Sequence, residues 1–348
     1  MGGKLPPYVA AARNAVQASL SSFCGSSVSG PAFVACSGGA DSLALAAAAG
    51  FLVRRRGLNI GAVVVDHGLL PGSDAVAAKA SEQCRTLGLS PVHVLRAHVS
   101  GNLNEGDARE ARYAAIDEFL PANVPVLLAH TQNDQAEQVF LGLARGSGTR
   151  ALAGIPPVRG RYLRPFLGLS RADTEAICKH EGLDFWTDPT NLETDALRNK
   201  VRLEVLPALA ETFSDLTGQL ARTAELARDD ADYLDVLAEE ALWNRVAVDP
   251  SVRDSVAFDA TRTLDTLELW VDALQELPRA LSSRVIRQAA VMVGGKAPDF
   301  ERTRAVLGLL QLGPSTGPVQ LDGQVNVIRT TLTPRRLVFA SARSSSAR

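Results

Sequence analysis

Short apolar runs alternate with stretches of helical periodicity through the first half of the chain. The runs are 32–36, 60–66, 92–97, 126–130 and 162–166, and each is apolar almost throughout. Between them, 42–55, 74–87, 105–120 and 134–145 repeat apolar side chains at intervals of three and four, and 8–20 predicts a further helix ahead of the first run. Strands that show no polar alternation suit a sheet covered on both faces. The strand–helix order predicts an α/β fold, a doubly wound and mostly parallel sheet with ligands at the carboxyl ends of its strands.

The pattern changes near residue 204. From 204 to 276 there are seventeen acidic residues against five basic ones, with helical spacing in LTGQLARTAELARDDADYLDVLAEEAL. From 278 onward the sign reverses, with eleven basic residues. Helices are expected at 280–293 and 299–311, followed by short β runs in VNVIRTTL and RRLVFA. The expected organisation is therefore an α/β domain over 1–210 and a mainly helical domain over 211–348 that ends in a small β element.

Composition narrows the classes. A chain of 348 residues is long for one domain. A net charge of −2 announces no overall affinity for nucleic acid and leaves a local basic surface as the route to it. The four cysteines, at 24, 36, 84 and 178, form no CxxC pair, which argues against a disulfide framework or a cysteine-built metal site. Cys36, inside an apolar run, reads as a small core residue. No apolar stretch approaches the length of a membrane span and no signal peptide is recognisable, so the expected location is cytoplasmic and no membrane partner is expected.

The chemistry concentrates first in FVACSGGADSLALAAAAG, 33–50. A strand, a glycine loop and a helix present backbone N–H groups and a positive helix end to an anion. Gly38 and Gly39 permit close approach of a phosphate, Ala40 opens the helix, and Ser37 and Ser42 add hydroxyls. Asp41 would repel a phosphate unless a cation sat between them, and magnesium bridges carboxylate and phosphate oxygens. A plain helix N-cap also accounts for the loop taken alone. The loop is neither GxxxxGK[ST] nor GxGxxG.

Further motifs follow at strand ends. Asp66 and His67 lie in VVVDHGLLPGSD, and Arg109 and Arg112 share a helix face in NEGDAREARY. In AHTQNDQAEQVFLGLARGSG, His130 ends the fourth run, with Asp134 and Glu137 one above the other at the start of the next helix. Capping explains one carboxylate there; a pair beside a histidine fits a cation, either magnesium or a substrate amine. From 142 to 171 there are six arginines and no acidic residue, suited to phosphate backbone, with Arg145 and Arg150 the first two. Arg198 and Arg202 lie four apart in LRNKVRLE, with Asn199 between them. Trp186, near Asp188 and Asn191, reads either as a core ring or as a base-stacking one.

SGGADS is similar to the pyrophosphate-loop motif SGGxDS of the N-type ATP pyrophosphatases. Together with VDHGL, AREARY, AHTQNDQAE, RGSG and RPFLGLSR…WTDPTN…LRNKVRLEVLPAL, it resembles the tRNA(Ile)-lysidine synthase family, over roughly residues 30 to 210. The resemblance implies an adenine nucleotide alpha hydrolase-like fold, ATP and Mg2+ as cofactors, and a carbon–nitrogen ligase. Such an enzyme adenylates the wobble cytidine of an isoleucine tRNA with a CAU anticodon, and L-lysine then displaces AMP to give lysidine. It implies ATP at Ser37, Gly38, Gly39, Ala40, Asp41, Ser42, Asp66 and His67, with Asp41 on the metal. Asp134 and Glu137 would hold the lysine ammonium, and one of them or His130 would take its proton. Arg109, Arg112, Arg198 and Arg202 would face the α-phosphate, and Arg145, Arg150, Arg198 and Asn199 would meet substrate. A homodimer is compatible with the family. One departure stands out: Asn133 replaces the first of two aspartates usual before QAE. Two rival readings are a tRNA thiolation enzyme of the same superfamily, disfavoured by the scattered cysteines, and a non-catalytic nucleotide or tRNA-binding module.

Overall fold

The computed structural model describes residues 5–24, 30–66, 68, 72–97, 105–192, 197–253, 263–311, 313 and 316–341. The chain divides into two compact units, Met1–Ala227 and Arg228–Arg348, and the division falls within the helix Leu216–Ala241.

The first unit is built on six strands: β1 (Ala32–Cys36), β2 (Ile60–Asp66), β3 (Val92–Arg96), β4 (Val126–Leu127), β5 (Val158–Arg159) and β6 (Tyr162–Leu163). Their order is β3-β2-β1-β4-β6-β5, parallel except for the β5–β6 pair. The chain leaves β1 toward β2 on one side and returns to β4 on the other. The crevice between the carboxyl ends of β1 and β4 is thus the switch point at which ligands bind in open α/β sheets.

The sheet is accompanied by helices α1 (Pro7–Cys24), α2 (Ala40–Arg56), α3 (Ser73–Thr86), α4 (Glu105–Phe119), α5 (Gln132–Ala144), α6 (Thr149–Leu152) and α7 (Arg171–Glu181). Helix α2 is apolar on every side because it is a core helix; every residue from Ala40 to Gly50 except Asp41 is buried. It ends at Gly57 in the left-handed region, with Arg54, Arg55 and Arg56 in its last turn, where the helix dipole favours positive charge.

Two expected strands are shorter than their apolar runs. The 126–130 run pairs as a strand only to Leu127, and the 162–166 run only to Leu163, since Pro165 has no N–H to extend the ladder. The hairpin partner β5 and helix α7 were not evident from periodicity.

The second unit holds an antiparallel sheet of order β7-β10-β9-β8, formed by β7 (Thr266–Trp270), β8 (Val319–Leu321), β9 (Val325–Arg329) and β10 (Arg336–Ser341). Helices Arg279–Met292 and Phe300–Gly308 occupy the two expected positions. Strand β7 lies in the acidic stretch read as helical. Its buried Leu267 and Leu269 face the partners Phe339 and Leu337 of β10, and that tertiary pairing overrides local propensity. Among the described residues, no helix is long and apolar enough to cross a membrane.

Candidate active site

Residues 37–42 turn from β1 into α2. Gly38 has φ +84°, a conformation that side chains rarely tolerate. Ser42 Oγ accepts from the Ser37 N–H at 3.1 Å and donates to the Gly39 carbonyl at 3.0 Å, so the serine at the end of the motif braces its start. The Gly38 carbonyl accepts from the Trp186 N–H at 2.9 Å, and Cys178 Sγ donates to the Ala40 carbonyl at 3.2 Å. Free N–H groups at such a helix start suit an anion.

Asp41 stands in the first turn of α2 and is met from α7 by the hydroxyl of Thr174, itself fully buried. Burial pushes the Asp41 carboxyl above its usual range, and the Thr174 hydroxyl and the Arg171 guanidinium oppose that shift. Among the described residues, no group of three or more His, Cys, Asp or Glu could hold a metal by itself. One carboxylate beside a loop of amides fits an ion shared with phosphate oxygens, the usual habit of magnesium.

At the end of β4, Thr131 caps α5. Its N–H and hydroxyl donate to Asp134 Oδ2 at 2.8 and 3.0 Å, a capping box that fixes one of the two expected carboxylates. Glu137, one turn further and 1% exposed, accepts from Arg198 Nε at 2.8 Å on one oxygen and from Arg202 Nε at 2.6 Å on the other. Asp134 Oδ1 lies 3.4 Å from Arg198 and 3.6 Å from Arg202. Burial alone would raise the Asp134 carboxyl, but His130, the Thr131 N–H and these two arginines outweigh it and hold it below its usual range. Arg202 sits in the π-helical turn Val201–Val205, a local irregularity common at functional sites.

Burial, aided by Arg164, Arg109 and Arg198, holds His130 neutral, its pKa pushed down to about 4 from an ordinary 6.5 despite Asp134 nearby. Its Nε2 lies 3.4 Å from the Arg109 guanidinium, which assigns the ring proton to Nδ1, and among the described residues the buried Nδ1 has no partner. Between pH 6.5 and about 4 the unfolded chain binds a proton here that the folded chain refuses. Stability should therefore fall as pH drops through that window, by up to about 3 kcal/mol. Urea unfolding at pH 7 and 4.5 checks this, and the drop should be smaller in His130→Gln.

A cavity of 340 Å³ joins these groups, lined by Ser37, Gly39, Ala40, Asp41, Ser42, Arg112, His130, Asp134, Glu137 and Arg202. Val63, Val65 and Leu128 supply an apolar wall. Arg109 and Arg198 act on its edge through His130 and Glu137. Asp66 lies at the end of β2, where its carboxylate accepts from the Gly68 N–H at 2.9 Å; His67 lies outside the described residues. Asn199 donates to the Thr190 carbonyl at 3.2 Å. Arg145 and Arg150 are exposed and away from the cavity lining.

Other arginines of the basic stretch do not serve as expected. Arg161, 7% exposed, donates to the carbonyls of Ile116, Leu120 and Pro121 and pairs with Asp117, so it ties the end of α4 to β6. Arg164, 3% exposed, donates to the Pro156 carbonyl. Both are buried, and the Arg161 guanidinium satisfies several carbonyls at once. Arg171 lines the cavity instead, its N–H held by Asn133 Oδ1 at 2.9 Å. Asn133 thus serves as a hydrogen-bond acceptor for the first turn of α7. Sequence reasoning missed Thr174 and α7 itself; the signal was the capping box of Ser170 and Asp173.

Residues 12–209 match the family model described as a PP-loop domain. The tRNA(Ile)-lysidine synthase of Leifsonia xyli subsp. xyli is 46% identical over 297 residues, covering 84% of this chain and 85% of that protein. The tRNA(Ile)-lysidine synthase of Streptomyces coelicolor is 41% identical over 301 residues, covering 84% and 81%. Among solved structures, the U34-tRNA thiolase NcsA from Methanococcus maripaludis aligns with a TM-score of 0.52 at 15% identity, over 64% of this chain and 80% of its own. That likeness is one of fold.

Proposed function

The chain belongs to the tRNA(Ile)-lysidine synthase family of PP-loop ligases, and on that premise we propose that its cavity adenylates a CAU-anticodon isoleucine tRNA and joins L-lysine to it. The observation that supports this most is the meeting of the 37–42 loop, Arg112, Arg171, Arg202 and the Asp134–Glu137 carboxylate pair in one cavity. The loop of 37–42 would hold the pyrophosphate end of ATP, and Asp41 would hold a magnesium ion beside it. Bound there, that ion would neutralise phosphate charge. The O2 of the cytosine attacks the α-phosphorus and pyrophosphate leaves; Arg112, Arg198 and Arg202 balance the charge that develops.

Lysine then faces Asp134 and Glu137. Its ammonium has an ordinary pKa of about 10.4, so one proton must go before the nitrogen can attack. His130 is neutral and close; burial and then nearby arginines depress its basicity, and incoming phosphates would offset the arginines' part. The amine attacks C2, the C2–O2 bond breaks, and AMP departs with that oxygen. The exposed Arg145, Arg150 and Arg159 suit tRNA phosphates, as does the basic region beyond 278 within the tRNA-binding domain proposed for 211–348.

The test is incubation with ATP, labelled lysine and an unmodified isoleucine tRNA transcript bearing CAU, beside elongator methionine tRNA. Label should enter the first alone, with release of pyrophosphate. Label in both, or pyrophosphate release that ignores lysine and tRNA, would overturn the reading.

A further inference from the structure

Among the described residues four carboxylates line the cavity, and three already have a role in the reading above: Asp41 at the phosphate loop, Asp134 and Glu137 toward the lysine amine. Glu137 has both oxygens on arginines, and Asp134 is shared between Thr131 and the same two guanidiniums. Asp41 belongs to the loop and to Thr174. Asp188 differs. Its Oδ1 accepts from the Thr190 N–H at 2.9 Å and the Thr190 hydroxyl at 2.7 Å. Among the described residues no arginine or lysine pairs with it, and Oδ2 is left for a ligand that donates.

The segment carrying Asp188 is held at both ends. Its Trp186 N–H is tied to the Gly38 carbonyl, and the Thr190 carbonyl to Asn199. Trp186 and Asp188 both line the same cavity, and the Trp186 backbone is held against the phosphate loop, so the Asp188 acceptor stands near that loop. A base with an exocyclic donor matches that acceptor: a carboxylate accepts from the N4 amino group of cytosine and repels O4 of uracil.

We infer that Asp188 is the specificity-determining residue that reads the amino group of the target cytosine and rejects uridine. The inference rests on the lysine-joining reading above. Adenylation at O2 leaves the base cationic, with charge spread onto N4. The carboxylate therefore binds the activated base more tightly than the resting one, which places its effect on the reaction as well as on binding.

The experiment compares wild type, Asp188→Asn, Asp188→Ala and Asp188→Glu on isoleucine tRNA transcripts bearing CAU or UAU, reading pyrophosphate release and lysine label. Wild type and Asp188→Glu should prefer CAU. Asp188→Asn should lose about tenfold to a hundredfold on CAU and gain on UAU, because its amide can donate to O4. Asp188→Ala should lose on CAU without gaining on UAU. The gain is a readout that no misfolded variant can produce. An Asp188→Asn enzyme with the wild-type CAU-to-UAU ratio would overturn the inference while the lysine-joining reading stands. Wild type labelling neither transcript would overturn both.

Discussion

Asp41→Asn should slow tRNA-dependent pyrophosphate release by about a hundredfold to a thousandfold, the loss typical when one preorganised electrostatic group is removed from a reaction centre. Asparagine keeps the shape and can still accept from Thr174, so the loop between β1 and α2 should remain folded. What goes is the negative charge at the mouth of a loop whose other groups are amides and hydroxyls. Magnesium ordinarily keeps one or two protein carboxylates together with substrate phosphates. Among the described residues, no cluster stands ready to replace this one. Pyrophosphate release measured across a magnesium titration checks the result. A variant within tenfold of wild type at ordinary magnesium would mean that the phosphates are neutralised by arginines alone.

The site was legible where chemistry and periodicity coincide. SGGADS shows itself as a strand, two glycines and an apolar helix, and the structure adds only how Ser42 braces it. Asp134 was open to two explanations, a cap or a ligand, and it carries the cap: Oδ2 is committed to Thr131 while Oδ1 faces the arginines. The Glu137 pairing with Arg198 and Arg202 joins residues more than sixty positions apart, which no local spacing reveals. Arginine was the hardest residue to read. The basic stretch contains exposed Arg145, buried Arg161 and cavity-lining Arg171, and charge alone does not separate a phosphate contact from a knot of carbonyl hydrogen bonds. Helix α7 was missed because its apolar positions are few. It brings Thr174 to Asp41 and Cys178 to Ala40, so an unremarked segment forms the back wall of the loop.

Glu137→Gln should separate the two halves of the reaction. In wild type the carboxylate, 1% exposed, neutralises Arg198 and Arg202 at 2.8 and 2.6 Å. Glutamine removes that charge and leaves the guanidiniums free to meet phosphate, so adenylated tRNA should still form. The lysine ammonium, however, loses a carboxylate and meets two guanidiniums whose charge is less well balanced, with Asp134 still at 3.4 and 3.6 Å from them. Its entry should be disfavoured by several kcal/mol, a slowing of the lysine step of about a hundredfold or more. The folded protein should weaken as well, by up to about 3–5 kcal/mol, since breaking a buried ion pair leaves uncompensated charge; partial exposure of the arginines keeps the loss toward the lower end. Arg202→Ala should show the converse: adenylation falls, because the phosphate loses a partner. Single-turnover assays that follow AMP-linked tRNA and lysine-labelled tRNA separately distinguish the cases. Equal loss of both steps in Glu137→Gln would show instead that Glu137 acts by holding the two arginines in place for the phosphate.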